Sequence, residues 1–181
     1  IRDVAVTGVQ TCALPISGAP LASGSAVPGP STRVTIDQAL LKHLPAAVGS
    51  FAVSFSAEAT AEVVGDPSLA KNADAIAYGM AVDPTTGDVV IAAVVQLKGG
   101  VMSDTFYRGW RTTYDKAACA AAGGVGGNAE AQISERTVYI GTCNGGAHTY
   151  HVYLDKANVL ISATSVGTKR FGEQLMGTLR P

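Results

Sequence analysis

Hydrophobic positions recur along this chain at two different periods. From Asn128 onward the period is two: Ala129, Ala131 and Ile133 alternate with Glu130 and Gln132, the pattern of a strand with one buried face. Runs rich in Val, Ile, Thr and Tyr follow at residues 137–143, 147–154 and 159–166. Ser134-Glu135-Arg136, Asn144-Gly145-Gly146 and the stretch from Asp155 to Asn158 separate them with turn-forming residues, which predicts a four-strand meander. Before the meander the helical period dominates. Ser103 caps a helix reaching about Ala118, with Phe106, Trp110, Tyr114, Ala117 and Ala118 on one face. Asp66-Pro67 opens another, in which Leu69, Ala73, Ile76 and Met80 follow at helical spacing, and residues 59–64 fit a separate helical turn. Thr35 and Gln38 form a capping box for a short helix carrying Ile36, Leu40 and Leu44, which Pro45 ends. A last helix places Phe171, Leu175 and Leu179 on one stripe.

Two further runs read as strands. Phe51, Val53, Phe55 and Ala57 alternate with smaller residues. Val89 to Val95 shows no polar alternation and therefore belongs at the centre of a sheet covered on both faces. The expected fold class is α+β: a mainly antiparallel sheet of five or six strands, ending in the four-strand meander, with helices packed on it.

Composition bounds what this fold does. The 181 residues are 47% hydrophobic and 15% charged, with a net charge of -1, enough for one real core and short for two. So balanced a charge argues against nucleic acid as a partner. No apolar run approaches the roughly 20 residues of a transmembrane helix. Residues 18–33 consist largely of Gly, Ala, Pro and Ser and read as a flexible linker ahead of a single domain at 34–181.

Residues 1–17 read Ile-Arg-Asp-Val-Ala-Val-Thr-Gly-Val-Gln-Thr-Cys-Ala-Leu-Pro-Ile-Ser. They resemble a translated sequencing-library adapter, with Val4 and Ala5 where the variable index bases fall. The resemblance implies that this segment is not native and that the true N-terminus, with any signal sequence, is missing. The small-residue linker resembles the mature N-terminal region of bacterial lipoproteins and other exported proteins. The order of elements resembles that of small lipoprotein domains of the PsbP-like type. These likenesses imply an extracytoplasmic protein, secreted or lipid-anchored to the cell envelope.

Candidate chemistry is sparse. Gly123-Gly124-Val125-Gly126-Gly127 follows a helix and precedes a strand, the reverse of a phosphate-binding loop, and reads as a connector. His148 and His151, three apart on one strand, point to opposite faces and do not make a metal pair. Cys143 and His148 flank one hairpin turn, but no nucleophile motif surrounds them. With Cys12 set aside in the adapter-like segment, Cys119 and Cys143 form an even pair that an exported domain is expected to bridge. Asp83, Asp88, Asp104, Asp115 and Glu130 are expected at loops, caps or solvent-facing strand positions. The aromatic residues Tyr107, Trp110, Tyr150 and Tyr153 are the candidate ligand-binding set, weighed against plain core packing. No metal or cofactor is expected. The favoured function is non-catalytic binding, of a small apolar ligand or an envelope protein. The alternatives are a small hydrolase-like enzyme with a cleft between the 103–118 helix and the meander, and a sensor or partner-binding domain of a larger membrane protein.

Overall fold

The computed structural model describes residues 33–181. The adapter-like segment 1–17 and the linker, but for Arg33, lie outside the described residues. In chain order the elements are β1 (Thr35–Ile36), a 3-10 helix (Gln38–His43), β2 (Ala47–Val48), β3 (Phe51–Ala52), β4 (Ser54–Phe55), α1 (Ala57–Val63) and α2 (Pro67–Asn72). The strands β5 (Ala73–Val82) and β6 (Val89–Leu97) precede α3 (Asp104–Ala118). After it come β7 (Val125–Ile133), β8 (Arg136–Cys143), β9 (His148–Leu154), β10 (Val159–Val166) and α4 (Phe171–Gly177).

Eight strands form one mixed sheet in the order β1-β5-β6-β10-β9-β8-β7, with β4 also pairing β5; β2 and β3 make a separate two-stranded ribbon. The sheet is mostly antiparallel, as expected, and larger than the five or six strands expected. The difference lies at its first edge. Ala73–Val82 is a strand and not the continuation of the helix that begins at Pro67. Its small residues, Ala75, Ala77, Gly79 and Ala81, lie in register against β6, where a helix would forfeit the long ladder. β1 joins parallel to β5 through Thr35 and Ile36. These two residues therefore leave the expected N-terminal helix, and Asp37 caps the 3-10 helix by accepting from the Ala39 N–H at 2.9 Å. The meander, α3 and α4 fall close to where the periodicity puts them, except that β7 begins at Val125 and takes in the last three residues of the Gly-rich run read as a connector, because Val125 and Gly127 pair with Cys143 and Thr142.

Hydrophobic burial explains the stacking order. β6 and β10 pair along their full length at the sheet centre, Val159 opposite Gln96 through Val166 opposite Val89. Both are covered on both sides. On one face, Phe171, Leu175 and Met176 of α4, with Leu40 and Leu44, pack on Val90, Val94, Val152 and Ile161. Gly172 is required there, because a Cβ would lie 2.1 Å from the Tyr150 ring. On the other face, α1, α2 and α3 cover Ile76, Ala93, Val95 and Leu160. No helix among the described residues is long and apolar enough to cross a membrane.

Candidate functional site flanking the long helix

α3 is held at both ends. Ser103 accepts the Phe106 N–H at 3.1 Å, Asp104 lies in the first turn and Lys116 in the last, each matched to the helix dipole. At its C-terminus Cys119 forms a disulfide with Cys143 at the end of β8, with the Cα atoms 5.1 Å apart. The expected bridge is present. It also removes Cys143 as a nucleophile.

Between its ends the helix rides on a polar network. The Trp110 Nε1–H donates to Ser162 Oγ at 2.8 Å, and Ser162 Oγ lies 2.9 Å from His151 Nδ1. His151 Nε2 lies 2.7 Å from Asp115 Oδ1, which also accepts from the Thr149 hydroxyl at 2.5 Å. An ionised carboxylate only accepts, so Nε2 carries the imidazole proton. In the neutral ring Nδ1 then accepts from Ser162, and the chain of donors runs from the indole to the carboxylate. Burial pushes the Asp115 carboxyl up, but the bonds from His151 and Thr149, with the charge of Arg111, outweigh it and hold the group below its usual value. The carboxylate descends this far because β8 has Gly141 beneath it. A Cβ there would meet Thr149 Oγ1 at 2.4 Å and Asp115 Oδ2 at 2.9 Å.

Ser162, His151 and Asp115 thus stand in the linear order of a hydrolase relay. Their burial runs the wrong way for one. Ser162 is fully buried beneath the indole, and the members that border an open recess are Asp115 and His151, not the serine. The arrangement tethers helix to sheet and satisfies buried polar atoms; it offers no nucleophile to a substrate.

Because α3 stands on half-buried aromatic side chains, a recess opens on each flank. The larger, about 510 Å³, lies between α2 and α3, with walls from Leu69, Ile76, Tyr78, Phe106, Trp110 and Ala117. The smaller, about 240 Å³, lies between α3 and the β7–β8 end of the sheet.

Of the four aromatic residues read as a ligand set, three share this face. Trp110 walls the larger recess. Tyr107 packs edge-to-face on Tyr139, 5.4 Å between ring centres, and burial raises the pKa of its hydroxyl, which has no hydrogen-bond partner among the described residues. Tyr153 packs in the same cluster as Trp110 and donates to Asn158 Oδ1 at 2.9 Å. Tyr150 does not join them. The alternation of β9 turns it to the opposite face, under α4, so the set cannot converge on one ligand. His148 and His151 do point apart: His148 approaches Thr142 Oγ1 at 3.4 Å, while His151 sits in the buried network.

Placing the acids at loops, caps or solvent-facing strand positions, with no pair converging, missed two groups, although Asp83 and Asp88 do lie in a loop. Asp115 is one, and a signal for it exists. Arg108, Arg111, Thr112 and Asp115 form a polar stripe at i, i+3, i+4, i+7, adjacent to the aromatic one. The other is a clasp around Lys169. Asp83 accepts from the Lys169 ammonium, from the Thr86 hydroxyl at 2.9 Å and from the Thr85 N–H at 2.8 Å. Asp88 accepts the Lys169 backbone N–H at 2.6 Å. Lys169 is so distant in sequence that no local pattern could announce it. Among the described residues no three His, Cys, Asp or Glu side chains converge as metal ligands.

No protein-family model, curated protein or solved structure matches this chain.

Proposed function

We propose that this chain is the folded domain of an exported, envelope-associated protein and that it works by binding, holding a small apolar ligand between α2 and α3. The observation that carries the reading is the 510 Å³ recess, walled by Leu69, Ile76, Phe106 and Trp110 and rimmed by Asp66, Ser68 and Asn72. An apolar pocket with a few polar groups at its mouth is the common form of a small-molecule site. The Cys119–Cys143 bridge fits an oxidising compartment. The depth of Ser162 weighs against the hydrolase alternative.

Trp110 is the only tryptophan of the chain and stands in the wall, so it reports occupancy directly. Titration with the neutral fluorophore N-phenyl-1-naphthylamine should quench Trp110 saturably at one equivalent. Ala117→Phe, at an exposed helical position bordering the recess, should fill the space and weaken binding by about tenfold or more. Non-saturating uptake, or equal affinity in the filled variant, rejects the reading.

A further inference from the structure

The smaller recess, on the other flank of α3, has a different chemistry. Its floor is Asp115 and His151, and its walls include Arg108 and Arg111 of α3, Asn128 of β7 and Tyr139 of β8. We propose that it binds a small monocarboxylate that also carries a hydrogen-bond donor, of the hydroxy-acid or amino-acid class. This is independent of the apolar recess.

Arg111 is the anchor. Its guanidinium carbon lies 3.6 Å from the centre of the Tyr139 ring and 4.9 Å from that of Tyr107. The two rings hold the group in place, and among the described residues no hydrogen bond occupies its terminal nitrogens, from which arginine takes a carboxylate in a two-bond fork. Among the described residues no carboxylate lies within 4.0 Å of it and no acceptor meets its Nε. The cation is therefore partly desolvated without a bonded counter-ion, an arrangement that a bound anion would stabilise. One turn earlier, Arg108 borders the same recess; its Nε donates to the Asp104 carbonyl at 3.3 Å, and among the described residues no hydrogen bond occupies its terminal nitrogens.

Asp115 supplies the second half of the specificity. Both the His151 and the Thr149 bonds fall on Oδ1, so Oδ2 keeps acceptor capacity for a donor on the ligand. The Asp115 charge also opposes a dianion. Two arginines against one carboxylate leave the site one positive charge, suited to a ligand with a single carboxylate, and its 240 Å³ suits a ligand of a few heavy atoms.

The test uses the whole chain labelled with nitrogen-15, following the Arg111 Nε–H resonance while sodium glycolate, glycine, acetate or phosphate is added at constant ionic strength. Glycolate and glycine should shift it saturably. Acetate, lacking the donor for Asp115, should bind about tenfold more weakly. Followed through the Tyr139 ring resonances, Arg111→Gln should abolish the response. Arg108→Gln, at an exposed position that leaves the stack intact, should weaken it about tenfold, and the surface change Lys156→Gln should leave it unaltered. The proposal is overturned if no anion saturates the signal, if phosphate binds more tightly than glycolate, if acetate matches glycolate, or if binding survives in both arginine variants.

Discussion

The two faces of the sheet are built on opposite principles. Under α4 the contacts are hydrocarbon and closed: Phe171, Leu175 and Met176 are each 2% exposed or less, and Gly172 brings the helix down onto Tyr150 with no room to spare. Under α3 the helix stands off. Its aromatic residues are only partly buried, Asp115 is the one buried residue of its span, and a disulfide and a polar chain do what close packing does opposite. Close packing leaves no space for a ligand. A helix held by a few directional bonds leaves space on either side. One face thus supplies the cohesion that lets the other stay open.

The contrast is broken most directly by paired truncations. Phe171→Ala should lower the unfolding free energy by about 3–5 kcal/mol, whereas Phe106→Ala, beside the larger recess, should cost about 1 kcal/mol because its ring already meets solvent. Urea denaturation of both decides it, and equal losses would mean that the open face is as much core as the closed one. Removing the bridge with Cys119→Ala and Cys143→Ala should cost about 3.5 kcal/mol through loop entropy. The amides of α3 should then exchange faster by a larger factor than those of α4, and uniform acceleration would contradict the division of labour.

The smallest effect sharpens the comparison at the Lys169 clasp, which links the β5–β6 turn to the segment leading into α4. The Lys169 bond holds the Asp83 carboxyl well below its usual value, ahead of the opposing effect of burial. The Lys169 N–H does the same for Asp88. Groups with depressed native pKa values stabilise the fold above the unfolded value of about 3.9 and lose that stabilisation as pH falls through the native one. Stability should therefore decline from about pH 4 downward, and Asp83→Asn should flatten the decline. An unchanged profile would remove the clasp from the account.

Much of the closed face was legible from sequence, since Phe171 and Leu175 on a helix and alternation in the meander are local patterns. The first edge was not. Residues 73–82 are rich in alanine, which favours helix in isolation, and only pairing with β6 makes a strand of them. Tyr150 was misplaced because the face of each aromatic residue was not carried through to the ligand set. The smaller recess needed contacts across the chain, between the polar stripe of α3 and Tyr139, although the stripe itself was there to be seen.

The central pairing also has a kinetic consequence. Val159 meets Gln96 only after everything from α3 to β9 has been looped out, which makes the sheet centre a late, high-contact-order event. The disulfide spans 24 residues of that excursion and so shortens the loop by more than a third. With closure entropy growing as (3/2)RT ln n, the saving is about 0.4 kcal/mol, roughly a twofold gain in closure rate. A chain whose cysteines are oxidised early reaches its central sheet sooner than one that must close the whole loop reduced.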